Sequence, residues 1–325
     1  MENRTILGID IGGTKCAVIL GAETIEGIDI IDRISFPTVN EKGYEGTIDK
    51  IFLEISKIIT AHNINISDVA SIGISCGGPL DSKRGIIMSP PNLPGWDNIK
   101  IVDIFEKHFG IKTKIQNDAN ACALAEWRYG AGKGFKNVIF LTFGTGLGAG
   151  LILDGKLYSG TNDMAGEIGH IRLDNNGPVG YGKAGSFEGF CSGGGIAILA
   201  KTRVLEKLQM GEKVSFCQSI DKLDYINAKV VADAAEKGDA TAIEIYKESG
   251  SYLGSGLAIL IDILNPEIII IGSIFARSKD LLWPYAKEVI EKESLLYSRN
   301  VCKIVPAILG EKIGDYAALA IASIK

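Results

Sequence analysis

Three short segments carry residue types that could transfer a phosphoryl group to an alcohol. Two are glycine- and threonine-rich turns, Asp10–Thr14 and Thr142–Gly148, and the third, Asn117–Ala121, lies between them in the sequence. Such turns bind phosphate through backbone N–H groups that side chains would obstruct, and threonine adds a hydroxyl donor. Phosphoryl transfer also needs a group that takes the proton of the attacking hydroxyl. Asp118 is the first candidate for that base.

Each segment also has a plain structural interpretation. Asp118 lies between a predicted strand, Lys112–Gln116, and a predicted helix, Ala121–Tyr129, and aspartate is a favoured helix N-cap. Each glycine turn could be an ordinary hairpin. Neither turn is a GxxxxGK[ST] loop, and neither opens a helix, because a strand pattern follows both. Two such turns on opposite halves of the chain nevertheless indicate a cleft that holds a polyphosphate from both sides.

A second polar group could bind a sugar. Glu167 and His170 lie in a glycine-flanked segment, and Glu188 follows. Their side chains can exchange hydrogen bonds with neighbouring sugar hydroxyls, as can the amides of Asn92 and Asn117. A lone histidine is more often a structural residue, but His170 is one of only three histidines, and its setting beside Glu167 favours a functional role.

Composition excludes several classes of protein. The chain has 325 residues, 46% of them hydrophobic, and a formal net charge of -5. It is long enough for two domains, and its acidic balance makes nucleic acid an unexpected partner. The first five residues run directly into a strand pattern, so we expect no signal peptide and a cytoplasmic protein. The most apolar stretch, Leu257–Ile271, is interrupted by Asp262 and Pro266, so we expect no membrane span.

Six scattered cysteines without a CxxC pair indicate reduced thiols rather than a disulfide framework.

Hydrophobic periodicity predicts an α/β fold with mixed sheets. In the first half the predicted strands are Thr5–Asp10, Cys16–Leu20, Ile25–Phe36, Val69–Ser75 and Lys112–Gln116, and the predicted helices are Gly43–His62, Ile99–Phe109 and Ala121–Tyr129. In the second half the predicted strands are Asn137–Phe143, Leu147–Leu153, Glu267–Ile271 and Val301–Val305, and the predicted helices are Ile196–Lys207, Ala228–Lys237, Ala240–Leu264, Leu281–Lys292 and Gly314–Ile324.

The two halves share a local pattern. Ile9–Ala17 and Leu141–Ala149 both read as strand, polar residue, apolar residue, glycine/threonine turn and strand. This predicts an internal duplication, unless the similarity of two short turns is chance. In the long predicted helix, Gly250, Gly254 and Gly256 lower helix propensity. They favour a close approach of a neighbouring helix, with nucleotide proximity as the alternative.

These motifs together match a known family. The chain closely resembles the ROK sugar kinases (repressor, open reading frame, kinase), which have the actin-like ATPase fold. The motifs that carry the resemblance occur in the family's order across nearly the whole chain: Asp10–Lys15, Asn92–Trp96, Gln116–Ala121, Thr142–Gly148, Gly166–His170 and Gly314–Leu319.

The resemblance implies two actin-like (ribonuclease H-like) domains, with mixed sheets flanked by helices and a cleft between them. The small domain would comprise 1–117 plus 312–325, and the large domain 118–311. It also implies an ATP-dependent hexose kinase that uses Mg²⁺, with glucose as the first choice of substrate. N-acetylmannosamine or N-acetylglucosamine kinase is the alternative. Because dimers are common among the relatives, the resemblance implies a homodimer, although the sequence shows no interface signature.

The resemblance also assigns roles to residues, with Asp118 as the catalytic base. The implied sugar-binding residues are Gly78, Asn92, Asn117, Asp118, Glu167, His170 and Glu188. The implied nucleotide-binding residues are Asp10, Gly12, Gly13, Thr14, Lys15, Gly144, Thr145, Gly146 and Gly272.

The chain departs from the family pattern at two places. The family usually carries a zinc site of one histidine and three cysteines, but here Val179, Tyr181 and Ser186 stand where the cysteines belong. None of these can replace a thiolate ligand. We therefore expect no structural zinc, and expect the segment 174–188 to be ordered by packing, with Tyr181 and Phe187 as candidates. The second departure is Gly272-Ser273-Ile274, where a glycine triplet near the adenosine is common.

Two rival functions come from other classes. Some family members are sugar-responsive repressors with an additional N-terminal helix-turn-helix domain. A first strand that begins near residue 5 leaves no room for one here. A non-catalytic sugar sensor would bind sugar without turnover, and the presence of Asp118 and both phosphate turns argues against it.

Overall fold

The computed structural model describes residues 4–39 and 43–324. It divides the chain into two compact units: the first comprises Met1–Phe135, Gly150–Ala165 and Ile308–Lys325, and the second Lys136–Ala149 and Gly166–Ala307.

Fourteen strands and ten helices are present in the described residues. Before the chain first passes into the second unit, they are β1 (Arg4–Ile11), β2 (Lys15–Glu23), β3 (Ile28–Pro37), α1 (Gly43–Ala61), β4 (Val69–Cys76), β5 (Leu80–Asp81), β6 (Ile86–Ile87), α2 (Ile101–Phe109), β7 (Thr113–Asn117) and α3 (Asp118–Tyr129). The remainder are β8 (Val138–Phe143), β9 (Leu147–Leu153), β10 (Lys156–Tyr158), β11 (Val179–Gly180), β12 (Lys183–Ala184), α4 (Phe187–Cys191), α5 (Gly193–Gln209), α6 (Ala228–Glu236), α7 (Ala240–Leu264), β13 (Ile268–Ile271), α8 (Ile274–Glu293), α9 (Leu296–Val301), β14 (Lys303–Pro306) and α10 (Ile313–Ala322).

The first unit is built on a five-stranded mixed sheet of order β3-β2-β1-β4-β7. The hairpins β1–β2 and β2–β3 are antiparallel, and β4 and β7 are added parallel to β1. A meander followed by strand–helix units is the mixed arrangement that the sequence predicted.

Alternating side chains of this sheet cover two separate cores. On one face, Leu7 and Ile9 of β1 pack with apolar residues of α1 and α2, including Ile51 and Phe105. On the other face, Ile6 of β1 packs with residues of α10, and α10 also contacts α3 and β4. The sheet is therefore sandwiched between helices from opposite ends of the sequence.

In the second unit, β13 lies between two parallel neighbours, β8 and β14. Its four isoleucines, Ile268–Ile271, are all buried, as a parallel strand covered on both faces requires. The long helix α7 is central to the helical layer and contacts α4, α5, α6 and α8.

Two glutamate carboxylates, one buried and one partly buried, accept hydrogen bonds from backbone N–H groups near the points at which the chain passes from one unit to the other. Glu126, fully buried in α3, accepts hydrogen bonds from Ala131 N, Ile308 N and Leu309 N at 2.8–3.0 Å. In the second unit, Glu267 accepts from Lys136 N and Asn137 N at 2.7 and 2.9 Å. Charge-assisted bonds of this kind fix the backbone where it enters and leaves each unit.

The two units are not divided where the resemblance placed the domain boundaries. The predicted small domain ended at residue 117 and resumed at 312. In the structure the first unit extends to Phe135, includes Gly150–Ala165 and resumes at Ile308. The difference arises because α3 packs against α10 and therefore belongs with the first sheet. Residues 1–3 and 325 of the predicted small domain lie outside the described residues.

Most of the predicted elements are confirmed, although β3, α3 and α5 begin three residues from their predicted starts. Two further elements near the end of the chain also differ. The predicted helix Leu281–Lys292 begins earlier, at Ile274, with a kink at Ser278 (φ -117°, ψ 26°). The predicted strand Val301–Val305 begins only at Lys303, because Val301 ends α9. Short elements such as α4 were not predicted, since five residues are too few to show a period. Among the described residues, no helix combines the length and apolarity that a membrane span needs.

The glycines of α7 confirm the predicted close approach of a neighbouring helix. A Cβ atom added to Gly254 would lie 2.5 Å from Ala286 O and 2.7 Å from Val289 Cβ, both in α8. Gly250 faces Leu282 O in the same way, whereas Gly256 faces the ring of Phe187. The helices α7 and α8 are thus packed backbone to backbone.

We expect Gly254→Ala to lower the free energy of unfolding by about 2 kcal/mol, because the strain of overpacking exceeds the roughly 1 kcal/mol gain in helix propensity. Urea unfolding would measure it. The control is Ser255→Ala in the same helix, where the side chain is only partly buried and bonds its own helix at Ser251 O. A Gly254→Ala protein as stable as the wild type would show that the two helices are not in such close contact.

Candidate active site

The carboxyl ends of three parallel strands meet at one edge of the first sheet. In the register of the sheet, Ile11 lies beside Cys76 and Cys76 beside Asn117. Asp10 at the end of β1 and Asp118 just after β7 are therefore at the same edge. This is the edge at which α/β sheets bind ligands.

Asp118 is the first residue of α3, not its N-cap. The cap is Asn117, whose Oδ1 accepts a hydrogen bond from Ala119 N at 2.9 Å. Asp118 Oδ1 accepts from the same N–H at 2.8 Å, and the Asp118 side chain is open to solvent. The interpretation of Asp118 as only a cap is therefore wrong: the helix has its cap without it, and the carboxylate is available to a ligand.

The other predicted residues of the first unit lie next to this junction. Asn92 packs against the first glycine turn so closely that a Cβ atom on Gly13 would overlap Asn92 O. The Asn92 amide faces Gly77, at 3.3 Å from a Cβ built there, and Asn117 Nδ2 faces Gly78 at 3.0 Å. The turn itself is closed by a hydrogen bond from Gly12 N to Lys15 O (3.1 Å). The sequence motifs of this unit thus converge on one place.

Carboxyl groups crowd this edge of the sheet. Burial, followed by the charges of Asp118 and Asp315, raises the pKa of Asp10 to about 6, against the opposing effect of Arg33 and Lys15. Arg33 Nε donates to Asp315 Oδ1 at 2.8 Å. The site therefore holds more negative charge than its two cations compensate.

The pKa of Asp118 is also above its ordinary value. Surrounding protein raises it, and the hydrogen bond from Ala119 N opposes the increase. Because water reaches the carboxylate, we expect this shift to be modest. Its direction suits a base that must take a proton near neutral pH.

In the second unit, the glycine turn Gly144–Gly146 meets the start of a helix. Gly193 N donates to Gly144 O at 2.7 Å and Gly194 N to Thr145 O at 3.2 Å. Ser192 caps α5, since its side chain accepts from Gly195 N at 2.9 Å. Sequence reasoning missed this helix start, although a serine before three glycines and an apolar periodic run is a recognisable signal.

A cavity of about 680 Å³ opens beside this turn, entirely within the second unit. Its walls come from α5, α6, α7 and α8, and they include Thr145, Gly194, Ala197, Ala232, Tyr246 and Arg277. The predicted nucleotide residue Gly272 does not line the cavity; it packs against Phe140 and donates to Leu141 O, while its neighbour Ser273 forms part of the wall.

Ser273 has an unfavourable backbone conformation, with φ 47° and ψ -106°. Residues other than glycine rarely adopt a positive φ of this kind. The departure from a glycine triplet therefore places strained backbone in the wall of the cavity.

The three predicted sugar residues of the second unit have different environments. Glu188 Oε2 accepts a hydrogen bond from Leu147 N at 2.9 Å, next to the glycine turn. Glu167 and His170 are exposed: Glu167 is the N-cap residue of a 3₁₀ turn, Ile168–His170, and His170 is its last residue. The His170 ring faces the edge of the Tyr181 ring at 6.4 Å.

The segment 174–188 is ordered by one of its two predicted aromatic residues. Phe187 is fully buried and packs against Gly256 of α7. The prediction for Tyr181 is wrong: its side chain is 78% exposed, at a positive φ of 44°. Within the described ranges 4–39 and 43–324, no group of three or more histidine, cysteine, aspartate or glutamate side chains is placed to hold a metal ion.

Two mixed α/β units, each with a glycine turn and a parallel strand at its site edge, define the actin-like ATPase fold that the motifs predicted. The chain belongs to the ROK family, whose sequence pattern matches residues 6–324.

Individual relatives agree with this assignment. The chain is 32% identical to a glucokinase of Halalkalibacterium halodurans over 316 residues, which are 97% of this chain and 93% of the relative. A ROK family glucokinase from Streptomyces griseus, solved in complex with glucose and AMPPNP, is 30% identical, with a TM-score of 0.75 over 98% of this chain and 99% of the other. A ROK family transcriptional regulator, a homologue of the Escherichia coli MLC protein, has a TM-score of 0.84 at 26% identity, covering 98% of this chain and 77% of the regulator.

The crowding at Asp10 has a measurable consequence. Because the pKa of Asp10 rises from 3.8 to about 6 on folding, the folded protein holds this proton more tightly than the unfolded chain. The carboxyl group therefore destabilises the fold as the pH rises from about 4 to 6, and the penalty stays constant above that. We expect Asp10→Asn to raise the free energy of unfolding by about 2 kcal/mol at pH 8, after allowance for partial exposure.

The gain should shrink to about a third at pH 4.5, where most of the penalty is absent from the wild type. Urea unfolding of both proteins at the two pH values checks this. An equal gain at both pH values would mean that charge crowding is not the cause.

Proposed function

We propose that the protein is an ATP-dependent hexose kinase, with glucose as the first substrate to test. The observation that carries the proposal is the exposed Asp118 carboxylate at the start of α3, next to the amides of Asn92 and Asn117, in a chain of the ROK family. The glucokinases among its relatives support the same reaction.

Asp118 is the proposed catalytic base. It accepts the proton of the sugar hydroxyl while the hydroxyl oxygen bonds to the terminal phosphorus of ATP and the bond from that phosphorus to ADP breaks. Its raised pKa strengthens it as a base at neutral pH. The hydrogen bond from Ala119 N fixes one carboxylate oxygen, which leaves the other to face the hydroxyl.

In the first unit, the proposed sugar contacts are two side-chain amides and a glycine that lacks a side chain. Asn92 and Asn117 can each donate and accept hydrogen bonds with neighbouring hydroxyls. Asn117 Oδ1 is already bonded to Ala119 N, so its Nδ2 group is the available donor. Gly78, beside that group, leaves room for a sugar ring. Glu167, His170 and Glu188 remain the proposed sugar contacts of the second unit.

The cavity of the second unit is the proposed nucleotide site. Its volume of about 680 Å³ is in the range of cofactor pockets. The glycine turn at Thr145 is the proposed phosphate contact, while α6 and α8 enclose the rest of the nucleotide. The first N–H groups of α5 hold the turn in place, because Gly193 N and Gly194 N donate to it. In the first unit, Gly12–Lys15 are the proposed phosphate contacts.

Asp10 is the proposed residue that would hold Mg²⁺, directly or through water. Magnesium prefers carboxylate and water oxygens, and a cation would relieve the repulsion that raises the pKa of Asp10. When bound, Mg²⁺ neutralises phosphate charge.

On family resemblance, we further propose that the protein is a homodimer and is located in the cytoplasm. A monomer mass of the purified protein in light scattering would contradict the homodimer.

Two alternatives are decided by the same assay. N-acetylmannosamine or N-acetylglucosamine would replace glucose as the phosphorylated sugar. A non-catalytic sensor, favoured by the similarity to a transcriptional regulator, would bind sugar without turnover.

We expect wild-type protein to release ADP with one member of a panel of hexoses and N-acetylhexosamines, and Asp118→Asn to lower kcat by roughly 10² to 10⁴-fold. Sugar binding by calorimetry should persist, because the amide keeps the shape and the helix keeps its Asn117 cap. The control is Asp103→Asn, an exposed aspartate in the first turn of α2, which should retain wild-type turnover. Undiminished turnover in Asp118→Asn would remove the proposed base.

A separate substitution tests the nucleotide cavity. Ala197 of α5 lines it, and Ala197→Leu should raise the KM for ATP at least about fivefold by occupying part of the volume, with the sugar KM nearly unchanged. The control is Ala276→Leu, an exposed position of α8 that does not line the cavity. Unchanged ATP kinetics in Ala197→Leu would place the nucleotide elsewhere.

A further inference from the structure

Tyr252, in the middle of α7, contacts both ends of the segment 174–190, which contains Glu188. Its ring stacks on Phe190 of α4, with centroids 3.5 Å apart and an interplanar angle of 12°. Its hydroxyl donates a hydrogen bond of 2.7 Å to Asp174 Oδ2. The Tyr252 side chain therefore contacts both Asp174, at the beginning of the segment, and α4, at its end.

The segment turns back at Asp174, so that the backbone at Asp174 lies beside Gly185. Leu173 N and Asp174 N both donate to Gly185 O, at 2.8 and 3.1 Å, and Gly185 N donates to Pro178 O at 3.0 Å. The Asp174 carboxylate uses its other oxygen to accept from Asn176 N at 3.1 Å. Both carboxylate oxygens are therefore engaged, one within the loop and one on α7.

The helix that Tyr252 touches also carries Glu188. The helix α4 has only five residues, and Ser186 caps it by accepting from Gly189 N at 3.1 Å. Phe190, in the stack, is two residues from Glu188, whose Oε2 accepts from Leu147 N at 2.9 Å. A helix this short has little rigidity of its own, so its orientation depends on the groups packed against it.

We propose that Tyr252 and Asp174 are positioning residues, which fix α4 and so keep the Glu188 carboxylate on Leu147 N beside the turn Gly144–Gly146. The link to catalysis rests on the proposed function, in which Glu188 contacts the sugar. The link to the loop does not, because it concerns only contacts within the second unit. Neither residue is expected to touch a substrate.

The test separates the hydroxyl from the ring. Tyr252→Phe retains the stack and removes the hydrogen bond, whereas Asp174→Ala removes the acceptor and Asp174→Asn keeps one. We expect Tyr252→Phe and Asp174→Ala to raise the sugar KM about fivefold or more, with kcat and the ATP KM within about twofold of wild type. Asp174→Asn should restore most of the loss, which a residue with only a bulk structural role would not show.

The matched control is Glu248→Gln, one helical turn before Tyr252. Glu248 lies beside Tyr252 on the same face of α7, but its carboxylate is bonded to Arg203 of α5 at 2.9 Å rather than to the Tyr252 hydroxyl. Its loss should leave the sugar KM within about twofold of wild type. A Glu248→Gln effect as large as that of Tyr252→Phe would overturn the proposal, since any disturbance of this face of α7 would then suffice.

Hydrogen exchange measured without substrate gives an independent readout. We expect the amides of 174–190 to exchange faster in Tyr252→Phe and Asp174→Ala than in wild type, with exchange in α10 unchanged. If wild type has no turnover, the proposed function fails, and the exchange data still decide the loop contact. If wild type turns over but both variants keep its sugar KM and its exchange rates, the positioning role is overturned. If one variant does not fold, the other gives the same decision.

Discussion

Electrostatic crowding at the edge of the first sheet is the constraint on which the rest of the site depends. Asp10, Asp118 and Asp315 approach one another because three strands end there and α10 begins there. Arg33 and Lys15 oppose the effect of this crowding on Asp10. A fold selected for stability alone would not gather acids in this way. Under the proposed function, a cation and a substrate hydroxyl between these groups would relieve the repulsion.

The two units present their glycine turns on the same backbone arrangement. In each, an antiparallel hairpin carries the glycine turn, and a parallel strand ends beside it: β4 next to β1, and β13 next to β8. This shared plan supports the predicted internal duplication. The units have diverged in what surrounds the turn, since the first adds carboxylates and the second adds the capped start of α5.

Local sequence patterns predicted most of the strands and helices, whereas contacts between residues far apart in the sequence could not be predicted from it. The strand-to-helix junction at Asn117–Asp118 and both glycine turns lie within short stretches whose residue types decide their structure. Which residue caps α3 was not decidable, because asparagine and aspartate are equally good caps. Tyr252 is 78 positions from Asp174, and nothing in either local sequence announces their contact. Tyr181 failed as a candidate for the same reason, since burial depends on neighbours that sequence order does not reveal.

The position of α10 has a consequence for how the protein is made. This helix covers one face of the first sheet and contacts β1 and β4, yet its residues, Ile313–Ala322, are translated long after those strands. Every residue of the second unit, up to Ala307, precedes it. During synthesis the second unit can therefore be completed first, although its chain starts later. Strands β1 and β4 therefore keep an apolar face uncovered during synthesis until α10, which follows the whole second unit, has emerged.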